Sequence, residues 1–452
     1  MLYTNNSFLK RAGAGVLMLL MFTAIAGAQN TKYKDEISKK SKELEAKVIE
    51  WRRDIHEHPE LSNREYRTAE LVAKHLEALG IEVTTGIGHT GVKGVLKGGH
   101  PGPVIALRAD MDALPIVERT DVPFASTVTT TYNGAETGVM HACGHDTHTA
   151  MLMGVAELLT EMKDDLQGTI VFIFQPAEEG APAGEEGGAA LMIKEGVLEN
   201  PTVDAIFGLH IQSGLEVGKI AYRPGPLMAG VSDFKIEVLG KGAHGSRPWG
   251  SIDPIAISAQ IINDLQTIVS RNIDITRNPA VVTVGAISGG NRSNIIPEKV
   301  EMLGTIRVFS DEDEQLIYSR LKSISENIAS ASGGKAIVTV PYSSHLPVTF
   351  NNVELTKSML PTLETLVGKD NLIEVVPTTG AEDFSMYAKE IPGFFFFLGG
   401  MPAGQDKATA PGHHTPDFYI DESAFVTGVN ALSNLVFDFM EKDIKLKTSM
   451  TE

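Results

Sequence analysis

Residues 147–179 read "THTAMLMGVAELLTEMKDDLQGTIVFIFQPAEE". The first part, 147–162, is an apolar-rich helix. The second, "GTIVFIFQPAEE" (168–179), opens as a short continuous apolar run and ends on two carboxylates. Such a run fits a strand covered on both faces. Upstream, "VIALRAD" (104–110) is a similar run ending in acid, and downstream "AIFGLH" (205–210) ends in histidine. Strand and helix alternate, which predicts an α/β fold: a mainly parallel sheet with helices on both faces. Ligand sites in open α/β sheets form at the carboxyl ends of the strands. Three strands that deliver Asp110 with Asp112, Glu178 with Glu179, and His210 to one edge therefore mark a site.

Further out, residues 34–58 and "RTAELVAKHLEALG" (67–80) have helical spacing, the second stopped by Gly80. After about Leu227 the rhythm changes. "SDFKIEVLG", "DPIAISAQIINDLQTIVS", "AVVTVGAIS", "KVEMLGTIRVF", "DEDEQLIYSRLKSISENIASA" and "KAIVTVPY" give the order β-α-β-β-α-β. That is the ferredoxin-like arrangement of a compact α+β unit, here spanning 226–339. The first pattern then resumes with a helix at "LTKSMLPTLETLV", a buried strand at "GFFFFLGG" and a terminal helix at "SAFVTGVNALSNLVFDFMEK". The expected organisation is a discontinuous larger domain, 30–225 and 340–446, with a smaller one inserted. "EEGAPAGEEGGAA" (178–190) is expected to be a mobile loop.

The chain has 452 residues and a net charge of −18, with 39 Lys+Arg against 57 Asp+Glu. That balance argues against nucleic acid and anionic membrane surfaces as partners. Lys10 and Arg11 precede an apolar run from Ala12 to Ala26, and Ala26-Gly27-Ala28 has a small-x-small form. These residues predict a signal peptide, 1–28, cut after Ala28, and hence an exported protein, periplasmic or secreted, with no membrane span after cleavage. One cysteine, Cys143, cannot form an internal disulfide.

That cysteine lies in "MHACGHDTHTA" (140–150), among His141, His145 and His148. Thiolate, imidazole and carboxylate form the ligand set of Zn²⁺ and, in part, of Mn²⁺, Co²⁺ and Ni²⁺. Cys143 and His145 sit two apart in a glycine-containing turn and can face one ion. A metal would also shield the thiol from oxidation. Glu178, Glu179, His210 and the His413–His414 pair complete the candidate donors. His141 and His148 read as supporting or packing residues, and Asp146 as a helix cap. In the Glu178–Glu179 pair, one carboxylate can bind metal while the other moves a proton. A Cys143 nucleophile is the competing chemistry, but neighbouring carboxylates would raise the thiol pKa.

The segments "ALRADMDALPI", "MHACGHDTHTAMLMG", "FQPAEEG", "GLH", "GKGAHGSRP", "NIIP", "GTIR", "AEDFS" and "HHTPDF" occur in this order. The chain resembles the M20 metallopeptidase family over about residues 35–445, specifically its aminoacylase-like amidohydrolases. The resemblance implies a catalytic domain holding two divalent metals, Mn²⁺ or Zn²⁺, and a lid domain that supports a homodimer. It implies Cys143, His145, Glu179, His210 and His414 as metal ligands, and Glu178 as the general base. It implies Asp112 as the acid supporting the metals, and His244 as the lid histidine that stabilises the oxyanion and contacts substrate. Asn294 and Arg307 match lid positions suited to a substrate carboxylate, and Glu382 an acid near the site. Asp110 stands where the wider family has a histidine ligand, and Cys143 where it has a bridging aspartate. The expected activity is metal-dependent hydrolysis of an N-acyl amino acid (N-acetyl, benzoyl or related). A di- or carboxypeptidase acting on short peptides is the near alternative, and a non-catalytic metal-dependent binding protein the remote one.

Overall fold

The computed structural model describes residues 33–442. The expected signal peptide lies outside the described residues. An eight-stranded sheet runs, in spatial order, Glu82–Ile87, Gly91–Lys97, Gln167–Gln175, His100–Asp110, Ala205–Glu216, Gly393–Met401, Ile220–Tyr222 and Leu372–Glu374. The four central strands, from Gln167–Gln175 to Gly393–Met401, are parallel to one another. The flanking pairings at Gly91–Lys97 and Ile220–Tyr222 are antiparallel.

Alternation along these strands splits the interior in two. Ile105, Leu107, Phe172, Phe174, Phe207 and Leu209 face a core with the helices His145–Glu161 and Ala424–Glu441. Ala106, Val171, Ile173 and Ile206 face the other side, packed with the helices Gly188–Lys194 and Phe384–Glu390. Burial on both faces is why these strands read as continuous apolar runs; all nine residues of Gly393–Met401 are buried.

A second sheet carries its own core. Its order is Val281–Ser288, Lys299–Val308, Gly230–Leu239, Lys335–Thr339, every neighbour antiparallel, with His345–Leu346 also on Gly230–Leu239. Two helices pack on it, Pro254–Asn272 and Asp311–Ala331. Asp253 caps the first, accepting from the Ile255 and Ala256 amides, and Ser310 caps the second. This is the ferredoxin-like order expected from the sequence, and the fold class is the one the sequence implies.

Two local readings are corrected. Asp146 is not a cap: the helix starts at His145, its cap is Gly144, and Asp146 lies in the first turn. There it accepts from Arg52 Nε at 2.8 Å and pairs with His56 Nδ1 at 2.8 Å. The segment 178–190 is not loop throughout, because a helix begins at Gly188.

Candidate metal-binding active site

The donors converge at one sheet edge. Asp110 ends its strand, and Glu178 and Glu179 follow the strand that closes at Gln175. The strand bearing His210 runs on to Glu216, but its last pairing with the His100–Asp110 strand is Arg108 with Gly208. His210 therefore emerges just past that pairing. Cys143 arrives on the turn before the His145–Glu161 helix. Gly144 permits the turn with φ +100°, and a Cβ there would sit 2.5 Å from Ile211 Cγ2.

Cys143 Sγ lies 3.4 Å from His210 Nε2 and 3.3 Å from His414 Nε2, and His414 Nε2 is 3.0 Å from Glu179 Oε1. Three groupings of potential ligand atoms overlap: Cys143, His145 and His210; Cys143, Glu179 and His414; His145, Glu178 and Glu179. All five expected ligands and Glu178 fall within them.

Hydrogen bonds sort the histidines. His210 Nδ1 bonds Ile211 O at 2.6 Å and His145 Nδ1 bonds Asp112 Oδ1 at 3.1 Å, which leaves each Nε2 for a metal. His148 uses both nitrogens, Nδ1 on Asp110 at 2.6 Å and Nε2 accepting from the Ile211 amide at 2.8 Å. His413 does likewise with Cys143 O and the Ser213 amide, each at 3.2 Å. Burial holds His413 down at about 4, whereas bonds to Cys143 and Glu179 raise His414 to about 10. His141 is buried with no partner on either ring nitrogen.

Asp112 is the hub of the loop. It accepts from the Glu178 and Glu179 amides at 3.1 and 3.0 Å and from Ser62 Oγ at 2.8 Å. Two site residues hold left-handed backbone without being glycine, Ala177 at φ +53° and His414 at +60°. Such strain persists only where the surroundings enforce it, and it clusters at functional sites.

Charge here is unbalanced. Asp110, Glu382 and Asp383 gather around the fully buried guanidinium of Arg108, Glu178 groups with the last two, and Asp112 and Glu179 lie in the same donor cluster. Arg108 reaches Asp110 at 2.6 Å, Asp383 at 2.7 Å and Glu382 at 2.9 Å, and donates to Gln175 at 2.9 Å. Burial, then the charges of Glu382 and Glu179, hold the Glu178 carboxyl well above the usual carboxylate range. An excess of buried carboxyl groups calls for cations. His145 Nε2, moreover, is buried with no hydrogen-bond partner. The donor set and that orphaned nitrogen fit bound divalent metals.

The residues expected to form a lid stand apart from the donors. His244 and Asn294 line a cavity of about 780 Å³ that shares no lining residue with the donor cluster. His244 Nδ1 accepts from the Ser246 amide at 3.1 Å. Arg307 is half-buried and bonds Thr379 O at 3.3 Å and Ile306 O at 3.0 Å.

Several residues at the site escaped the sequence reading. Glu65 is buried and accepts from the Ala177 amide at 2.9 Å, the Asn63 amide at 3.0 Å and Thr90 Oγ1 at 2.5 Å. Nothing local distinguishes it from a surface helix-start acid. Arg108 had a signal, a charge inside an apolar strand. So did the hairpin of Thr129–Tyr132 and Ala135–Gly138, whose Asn133-Gly134 turn is a strong hairpin marker.

The model of peptidase family M20/M25/M40 matches residues 106–438. Thermostable carboxypeptidase 2 of Saccharolobus solfataricus is 43% identical over 402 residues, 89% of this chain and 97% of that protein. N-acetylcysteine deacetylase of Bacillus subtilis is 40% identical over 401 residues, 88% of this chain and 98% of that protein. Among solved structures, a dinuclear metal-binding M20 peptidase of Bacillus subtilis matches with a TM-score of 0.72 at 37% identity, covering 88% of this chain and 99% of the other. These relatives correct one expectation. The relatives, among them two N-acetylcysteine deacetylases of Bacillus subtilis, lend export no support, and the export read from residues 1–28 is withdrawn. A metal-binding edge of this make-up, on this fold and with these relatives, has one conclusion: the chain belongs to peptidase family M20/M25/M40 and is a hydrolase of that family.

Proposed function

We propose that this protein hydrolyses the amide bond of N-acyl amino acids, releasing a carboxylic acid and the free amino acid. The observation that carries the reading is the division of labour in the Glu178–Glu179 pair. Glu179 faces Cys143 and His414, as a ligand would. Glu178 faces His145 at 3.8 Å and groups with Glu382 and Asp383. Both carboxylates group with His145; beyond it Glu179 has Cys143 and His414 as neighbours, and Glu178 has Glu382 and Asp383.

In this reading Cys143, His145, Glu179, His210 and His414 hold two divalent metals, with Asp112 fixing His145 and both glutamate amides. When bound, such metals polarise the amide carbonyl and lower the pKa of water. The thiolate of Cys143 suits zinc, and the carboxylate-rich surroundings suit manganese. Glu178 takes the proton of the attacking water as its oxygen bonds to the acyl carbon. The C–N bond then breaks, and Glu178 returns the proton to the amine. His244 stabilises the developing oxyanion, and Asn294 and Arg307 bind the substrate carboxylate. All three belong to a lid, 226–339, set into a catalytic domain of 30–225 and 340–446. Because His244 and the donor cluster share no cavity, a homodimer through the lid is part of the proposal.

A second reading, carboxypeptidase, is favoured by the relative of that name at 43% identity. The chemistry is shared and only the acyl side differs. The test is amino acid release from N-acyl amino acids and dipeptides by the intact protein, with and without chelator, alongside its metal content. Chelator-sensitive release from N-acyl amino acids, at a kcat/KM above that for dipeptides, is expected. Faster cleavage of dipeptides would replace this reading with the second.

A further inference from the structure

The chain passes between the units of the two sheets at two places. Ala229 separates the strand Gly225–Met228 from Gly230–Leu239 of the second sheet, and Pro347 with Val348 separates His345–Leu346 from Thr349–Asn351. Both sides of these joins are fastened. On the second sheet, His345 lies across from Ser232, and its Nε2 bonds Glu314 of the helix Asp311–Ala331 at 3.1 Å. On the larger sheet, the Asn351 side chain donates to Phe395 O at 2.8 Å and accepts from the Phe395 amide at 2.7 Å. Gly225–Met228 and Thr349–Asn351 pair with each other. Any change of angle between the two units falls on the few residues left between, as at other hinges.

The segment 378–383 is bonded to this join. The Ala229 amide donates to Thr378 O and to Gly380 O, each at 3.0 Å, and the Thr378 amide donates to Leu227 O at 3.0 Å. Thr349 is buried, and its Oγ1 donates to Glu382 O at 3.2 Å. From the second sheet, Arg307 Nε donates to Thr379 O at 3.3 Å. The segment ends in Glu382 and Asp383, whose carboxyl groups are tied to Arg108 at 2.9 and 2.7 Å. Glu178 groups with both acids. One stretch of backbone thus runs from both joins to the neighbours of Glu178, and Thr349 makes the bond that holds Glu382 itself.

We propose that Thr349 is a positioning residue for the reaction. Through the Glu382 carbonyl it seats Glu382 and Asp383 beside Glu178, and so fixes the proton carrier relative to the unit that bears His244, Asn294 and Arg307. The inference rests on the reading of Glu178 given above. It holds for either acyl side, so the substrate for its test is whichever of an N-acyl amino acid or a dipeptide the wild-type protein cleaves faster.

The test compares wild type, Thr349→Val, Thr349→Ala, Thr349→Ser and Glu382→Gln, with Thr349→Val also placed in the Glu382→Gln background, all as metal-loaded full-length protein. Glu382 O keeps the Ser385 amide at 3.2 Å when the hydroxyl is lost, and valine fills the space of threonine, so the fold survives the change. Thr349→Val and Thr349→Ala should each lower kcat about tenfold, the scale of a misplaced catalytic group. KM should stay within about twofold, because the loss is one of transition-state placement rather than of binding. Metal per chain should be unchanged. Thr349→Ser, which keeps the donor, should restore most of kcat. In Glu382→Gln, adding Thr349→Val should cost less than about twofold, because residues acting through one another are not additive. A kcat near wild type in Thr349→Val and Thr349→Ala, equal losses in the valine and serine variants, or the full tenfold loss persisting in Glu382→Gln overturns the positioning role and leaves the amidohydrolase reading standing. Wild-type protein without turnover on either compound overturns both.

Discussion

Glu65 accepts a hydrogen bond at 2.9 Å from the backbone amide of Ala177, the residue that carries left-handed backbone immediately before Glu178. Burial, then the charge of Asp112, raises the Glu65 carboxyl to about 8, so near neutral pH it is largely protonated. A glutamine is close to that form in shape and charge. Glu65→Ala should lower kcat about tenfold or more with a smaller change in KM, because misplacing a catalytic group is costly. Glu65→Gln should restore most of the loss. Equal losses in both variants would mean that Glu65 acts otherwise than by holding this loop.

Arg108 bridges Asp110, Glu382 and Asp383 with no exposed side-chain surface. Removing one partner of a buried ion cluster strands the others. Arg108→Met should destabilise the protein by about 3–5 kcal/mol in denaturant unfolding. A loss below about 1 kcal/mol would show that the carboxyl groups find another cation.

The two adjacent histidines should separate by readout. His414→Ala is expected to reduce metal content per chain. His413→Ala strands the Ser213 amide and should cost about 1–3 kcal/mol of stability. Metal content falling for His413→Ala and holding for His414→Ala would exchange their roles.

Most of the architecture was legible because the central strands are buried on both faces, which writes continuous apolar runs into the sequence. The edge strand Glu82–Ile87 and its neighbour Gly91–Lys97 were not. The first is mostly exposed and the second carries Lys93 and Gly94 among its buried positions, so neither shows a clean period. The donor cluster was legible because cysteine, histidine and paired acids are unusual at successive strand ends. Its support was less so. Asp146 looked like a cap because acids favour helix starts, and only the fold shows Arg52 and His56 claiming it. Glu65 sits 112 residues from the amide it holds, a relationship that no local pattern encodes.

His75 offers a pH test away from the site. It lies edge-on to Trp51, with centroids 4.6 Å apart, and its Nε2 faces Met153 O at 3.1 Å. Burial lowers its pKa below the ordinary 6.5, partly opposed by that hydrogen bond. The unfolded chain thus binds the proton more readily, and stability from this residue falls as pH drops through 6.5. His75→Gln keeps a donor for Met153 O and should lose less stability than wild type between pH 7.5 and 5.5, read by thermal unfolding. Parallel losses in the two proteins would exclude His75 as a contributor.

The most direct measurement of the central claim is metal content and N-acyl amino acid turnover for Glu178→Gln beside wild type. The account predicts unchanged metal per chain and a kcat lower by about 10²–10⁴-fold, the usual contribution of a positioned proton carrier. Near-normal kcat with metal in place would contradict it, because Glu178 would then have no part in moving the proton.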